Sequence, residues 1–357
     1  MTATLQIREP KSGRVLGSHA LQPADLALCG SEFWREHYLR RNRPDVYFED
    51  LDLTVLPGLD VPGLEPGFAI QGHVRDSDEP WARQEFPAGA LRVASLDLIA
   101  ALLKRKELDP KAKAVCQLHL DSAGLSLREA FRRAGGTSRV PTLLAYSRCH
   151  LPAPTDSDDG EPGPFPVYYL AAALERAEHY ARCGALHSPP LESGCFLMGH
   201  PCRCPESGEL YIVITEALRI RGAEAGTYHM TMSGAAWIEI EAILRRRAAS
   251  GTGARAVGFA HGHPFLPGLD HAACARCEQQ AECNLTSVFI SDDDSRWMAS
   301  VFAHRHPWQV AHVFGLDARA GHVQALFSLQ DGQLQPRPYT VLTTLPDDFP
   351  AHDEEKS

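Results

Sequence analysis

At 357 residues, with 44% apolar and 22% charged side chains, the chain is long enough for two domains and too apolar to be disordered, and no segment reaches the roughly 20 uninterrupted apolar residues of a membrane helix. The net charge is −10, and the excess lies in residues 156–357 (26 acidic, 15 basic) rather than 1–155 (19 acidic, 20 basic). That balance argues against a nucleic-acid substrate and favours a basic or neutral protein partner. The N-terminus lacks a basic region followed by an apolar stretch, so a cytoplasmic location is expected, and the ten cysteines are expected as thiols or metal ligands rather than disulfides.

In chain order, residues 1–150 form the first expected domain, mixed α/β, with strands over 46–56, 67–74 and 114–120 and helices over 95–104 and 125–134, Ser95 being the expected N-cap. Its Cys29, Cys116 and Cys149 stand alone on apolar segments and are expected to be structural thiols, so this domain is assigned no chemistry. Residues 151–165, rich in Pro, Gly and acids, make the natural linker. The second domain is expected over 166–345. An apolar-periodic helix through Val167, Leu170, Leu174, Ala177 and Ala181 opens it, followed by a strand at 210–215, a helix at 234–247 and an apolar strand at 256–260. A helix over 295–304 and a buried strand over 308–314 complete the pattern. The acidic tail, 346–357, is expected to stay disordered.

Chemistry gathers in three segments of the second domain: Glu192 at the head of Glu-Ser-Gly-Cys-Phe-Leu-Met-Gly, His261-Gly-His263-Pro at the end of an apolar strand, and Ser291-Asp-Asp-Asp294. Two imidazoles one residue apart and a downstream carboxylate can supply three ligands to Zn²⁺ and leave a fourth position to water. Each residue also has a plainer reading: a hydrogen-bonded His pair, an ordinary exposed acid at Glu192, or a helix start with Ser291 as N-cap and acids favoured by the macrodipole. A second His-x-His-Pro, His304 to Pro307, followed by Ser328-Leu-Gln-Asp331, emerges from a helix and is expected to place cations at a helix C-terminus. Residues 265–290 carry His271, Cys274, Cys277 and Cys283, which can hold a second, structural zinc; Cys202 and Cys204 are alternative ligands, and reduced thiols in a loop are the alternative to any metal.

The three segments, in this order, resemble the JAB/MPN (JAMM) family of zinc metalloproteases, whose pattern is an early Glu, then His-x-His-Pro, then Ser-x-x-Asp. The resemblance covers roughly residues 165–345 and departs from the family where 265–290 intervenes in place of a short loop. It implies an α/β (α+β) fold with a cytidine-deaminase-like core, a central mixed sheet flanked by helices. It also implies one catalytic Zn²⁺ on His261, His263 and Asp294, Glu192 as general base, and Ser291 as donor to the tetrahedral oxyanion. The activity implied is that of an isopeptidase or peptidase acting after the C-terminal glycine of a ubiquitin-like protein, of the prokaryotic deubiquitinase-like type, with 1–150 meeting the substrate or its activating or conjugating enzymes. An inactive scaffold, or a zinc amidase acting on a small-molecule or sulfur-carrier adduct, are the alternatives.

Overall fold

The computed structural model describes residues 3–9, 11–26, 51–58, 67–74, 80–109, 115–120, 125–126, 143–154, 165–220, 223–226, 230–232, 254–264, 283–301, 309–319, 321–330 and 333–349, with isolated positions between 28 and 37 and at 242, 243 and 278. It is mixed α/β with more strand than helix, and it divides into two compact units. The first holds 1–141 and the second 142–290, with the chain beyond 290 divided between them.

In the first unit, β1 (Ala3–Arg8) pairs antiparallel with β2 (Val15–Ala20) and β6 (Val115–Leu120). Its alternation buries Ala3, Leu5 and Ile7 on one face, as the period of a half-buried strand requires. Helix α1 (Arg92–Lys104) supplies Leu98 and Leu102, which pack with Ile7 and Leu108. A second antiparallel sheet runs β5-β4-β3-β7, from Pro80–Phe86, Phe68–Val74, Leu51–Pro57 and Leu125–Ser126. Two expectations are corrected here. Ser95 lies inside α1, with Leu91 at the N-cap, and its hydroxyl bonds back to the Leu91 carbonyl four residues earlier at 2.8 Å. Residues 125 and 126 are strand rather than helix, and 127–134 lie outside the described residues, as do 46–50.

The second unit is built on one large sheet. β8 (Leu144–Ala145) runs beside the far end of β10 (Ser193–Arg203), while β9 (Val167–Leu170) leads into helix α2 (Ala171–Arg182). β11 (Leu210–Arg219) returns antiparallel to β10, and the small hairpin β12 (Ala223–Ala225) and β13 (Met230–Met232) follows. β14 (Arg255–Gly262) pairs antiparallel with β10 and parallel with β15 (Val310–Asp317). β16 (Gly321–Gln330), β17 (Gln333–Arg337) and β18 (Thr340–Leu342) complete the order β17-β16-β15-β14-β10-β11-β9-β18. Helix α3 (Asp292–Val301) lies between β14 and β15 in the chain but belongs to the first unit.

The helix expected from Val167 begins four residues later. Val167, Tyr168 and Tyr169 are β-formers and lie buried between β11 and β18, and only the run from Ala171 has helix-favouring composition. Ala173, Ala177 and Ala181, four apart, form its buried face, on β10, β11 and β14. The 210–215 strand runs on to Arg219, and the 256–260 strand is Arg255–Gly262. The helix expected over 234–247 lies outside the described residues except at 242 and 243.

The tail expectation is corrected for 346–349. Phe349 is buried against Tyr146 and His200, and Tyr146 donates its hydroxyl hydrogen to Asp348 at 2.7 Å. Burying one aromatic ring outweighs the acidic composition of those few residues.

Candidate metal centre

The two histidines arrive on an interior strand. β14 is flanked by β10 on one side and, over Gly258–Gly262, by β15 on the other, and successive residues alternate faces. His261 and His263 therefore share a face, with Gly262 turned the opposite way. Both rings are buried, His261 stacked on Phe259 (5.3 Å between centroids, 13° between planes) and His263 tilted on Phe289 at 4.9 Å. Parallel pairing with β15 continues one residue past the strand, where the His263 amide donates to the Phe314 carbonyl at 2.8 Å.

Their Nε2 atoms lie 3.0 Å apart. Two imidazole nitrogens on one tetrahedral zinc, at about 2.0–2.1 Å each, stand roughly 3.3 Å apart, so the pair needs a few tenths of an ångström of opening to share an ion. One atom from each of His261, His263 and Asp294 falls within 4.8 Å of the others, and among the described residues no other set of three or more His, Cys, Asp or Glu is grouped this closely. Two imidazoles and one carboxylate suit a borderline cation such as Zn²⁺, so the residues present fit a metal.

Asp294 is held by the start of α3. The Ser291 amide and hydroxyl both donate to Asp294 Oδ2, at 2.9 and 2.7 Å, and the Asp294 amide donates to Ser291 Oγ at 3.1 Å. This reciprocal arrangement is a capping box, with an Asp in the place of the usual Glu. The N-cap reading of Ser291 therefore holds in the structure, and the same bonds fix the carboxylate that the metal reading needs.

Glu192 stands at the head of β10, 5% exposed, with one carboxylate oxygen 3.8 Å from His263 Nε2. Its amide donates to the Gly226 carbonyl at 2.9 Å. The adjacent Ser193 hydroxyl joins this segment to the end of α2, donating to the Ala181 carbonyl at 2.9 Å and accepting from the Gly184 amide at 2.7 Å. Ser193 has no catalytic appearance in the sequence, yet its two bonds fix where Glu192 enters the sheet.

The remaining candidates are scattered or undescribed. His271, Cys274 and Cys277 lie outside the described residues, as do His304, His306 and Asp331. Cys283 is described, free and partly buried. Cys202 and Cys204 sit in an apolar cluster with Tyr146, Tyr168, Tyr211 and Phe349, and burial pushes the Cys202 thiol up to about 12. Of the three cysteines expected as buried structural thiols, Cys29 is buried, Cys116 is partly buried and Cys149 is exposed, which corrects that expectation for Cys149; Cys195 is buried as well, and burial above all raises the Cys29 and Cys195 thiols.

Two buried histidines were not anticipated, His200 and His312. His312 pairs across β15 and β14 with Ala260, next to His261, and is wholly enclosed by Phe314, Tyr169 and Tyr339. Burial, with a smaller contribution from His261, lowers its pKa to about 3, so it stays neutral, on the face of the sheet opposite His261 and His263. Its signal in the sequence is a polar residue within an apolar strand, Val310 to Phe314, next to the strand that carries the histidine pair.

No helix among the described residues is long and apolar enough to cross a membrane. No family model and no curated protein matches the chain. Among solved structures it is similar to the solution structure of protein DSY2949 from Desulfitobacterium hafniense, at 16% identity and a TM-score of 0.34, over 52% of this chain and 99% of that one.

Proposed function

We propose that the chain is a zinc-dependent isopeptidase or peptidase of the JAB/MPN type, acting after the C-terminal glycine of a ubiquitin-like protein. The observation that carries the reading is the convergence of residues from separate segments: buried His261 and His263, the Asp294 carboxylate beside them, and Glu192 against His263. The element order supports it too, with Glu192 heading one strand, the histidines ending its neighbour, and the Ser-x-x-Asp starting the next described helix. The substrate class comes from the sequence resemblance alone.

Zinc, when bound here, would lower the pKa of a coordinated water to about 7. Glu192, buried with one carboxylate oxygen 3.8 Å from His263 Nε2, takes a proton from the attacking water and returns it to the leaving amine. Asp294 and the two histidines would hold the cation, with Asp294 kept in place by the Ser291 amide. For Ser291 to serve an oxyanion its hydroxyl turns away from Asp294, whose carboxylate retains the amide bond.

The test is zinc per chain by elemental analysis, followed by hydrolysis of a ubiquitin-like protein extended beyond its terminal glycine. The double variant His261→Ala, His263→Ala is expected to lose one equivalent of zinc and all hydrolysis. Equal zinc in variant and wild type would refute the assignment.

A further inference from the structure

We infer that Ser287 is a positioning residue for this centre: its carbonyl holds His263 as the Nδ1–H tautomer, and its hydroxyl locks that carbonyl to β15. The inference deepens the metal-centre reading and rests on it for its consequence, though not for its geometry.

His263 Nδ1 lies 2.7 Å from the Ser287 carbonyl oxygen. A carbonyl only accepts, so Nδ1 carries the hydrogen, and in the neutral ring Nε2 is left with its lone pair. That lone pair is the atom 3.0 Å from His261 Nε2, inside the cluster with Asp294. In the metal-free protein His261 Nε2 is then the donor between the two rings, so to ligate an entering cation through that atom His261 would shift its hydrogen to Nδ1, whereas His263 already has the ligating tautomer.

The carbonyl is unusually well anchored. Beyond Phe314, β15 has lost β14 as its neighbour, and the stretch after it is paired instead by residues returning from the 265–290 insertion. The Ser287 amide donates to the Leu316 carbonyl at 2.8 Å, the Ala318 amide to the Leu285 carbonyl at 3.1 Å, and Thr286 bridges Asp317. Ser287 Oγ, wholly buried, accepts from the Leu316 amide at 2.7 Å and lies 3.3 Å from the His263 carbonyl. Gly315 makes the room, since a Cβ there would stand 2.5 Å from that hydroxyl oxygen. A partner of this kind on the distal nitrogen of a ligating histidine sets its tautomer and raises its basicity. The insertion thus re-enters the fold through the residue that aims a metal ligand.

Two variants test this, read by zinc affinity against a competing chelator and by long-range ¹⁵N–¹H spectra of the metal-free protein at pH 8. The first is Ser287→Ala. The second replaces the 287–288 amide by an ester, which weakens the carbonyl as acceptor while keeping every side chain, and Thr286→Val controls for the lost Val288 amide bond to Thr286 Oγ1 at 3.1 Å. Wild type is expected to show His263 in one tautomer, hydrogen on Nδ1. Both variants should show a mixture and bind zinc about 10- to 100-fold more weakly, with unfolding still cooperative. Should Ser287→Ala fail to fold, the ester variant decides. A wild-type hydrogen on Nε2, or a folded variant with unaltered tautomer and zinc affinity, overturns the inference. Wild type that shows the expected tautomer yet takes up no zinc would refute the metal centre and leave the Ser287 contact standing.

Discussion

Gly262, between the two histidines, faces the last turn of α2 so closely that a Cβ built on it would stand 2.1 Å from the Ala181 carbonyl oxygen and 2.8 Å from the carbonyl carbon. Both are backbone atoms and cannot turn aside. The middle residue of His-x-His is therefore constrained from behind, by the helix, while its neighbours are constrained from the front. Gly262→Ala is expected to push β14 from α2 at a cost of about 1–3 kcal/mol and to weaken zinc binding at the same time. Thermal unfolding and chelator competition on one sample would show it, and an unchanged melting temperature would disprove the contact.

Glu192→Gln should retain the full zinc content of wild type and lose about 10²–10⁴-fold in hydrolysis, because it removes a proton acceptor and keeps the shape of the side chain. Elemental analysis beside single-turnover kinetics separates the two effects. Loss of zinc in this variant would make Glu192 a ligand instead of a base.

How much of this was legible beforehand depended on local chemistry. His261, His263 and Asp294, which the structure groups, were legible because metal ligation calls for particular residue types; Glu192 and Ser291 were singled out in the same reading. Ser287, Ser193 and Gly262 were not found, because a backbone carbonyl leaves no signature and a hydroxyl or a missing Cβ takes its meaning from a chain segment that folding brings beside it. Val167 to Tyr169 misled in another way: an apolar spacing compatible with the helix continued into residues that prefer strand, and burial between β11 and β18 decided the matter. Phe349 shows the limit of composition, since a single ring among acids suffices to dock the chain end.

The buried His312 carries a pH dependence whose sign is fixed. Its pKa is about 3 in the folded chain against about 6.5 unfolded, so between these values the unfolded chain binds more protons. The stability associated with it is fully present above about pH 6.5 and is lost as pH falls toward 3, with a slope approaching about 1.4 kcal/mol per pH unit. Urea unfolding of the metal-free protein at pH 7 and pH 5 should show this loss, and His312→Phe, placed among Phe314, Tyr169 and Tyr339, should show less of it. Identical losses in the two proteins would mean that His312 is not shielded from water.

Phe349→Ala should destabilise the second unit by about 3 kcal/mol, the usual cost of emptying a buried aromatic site. Tyr146→Phe, which deletes only the hydroxyl that Asp348 accepts from, should cost about 1 kcal/mol. Denaturant titrations of both variants would check the ranking. No loss on removing Phe349 would return 346–349 to the category of an unstructured tail.

β14 lies in the interior of its sheet, whereas Asp294 belongs to the first turn of a helix. Helix ends fray on a far shorter timescale than a central strand opens, so the carboxylate and the imidazoles differ in how long each can hold an ion. A cation held by all three would accordingly rest on ligands of unequal local stability, two on a central strand and one at the end of a helix. Amide exchange is therefore expected to be faster at 292–295 than at 257–261.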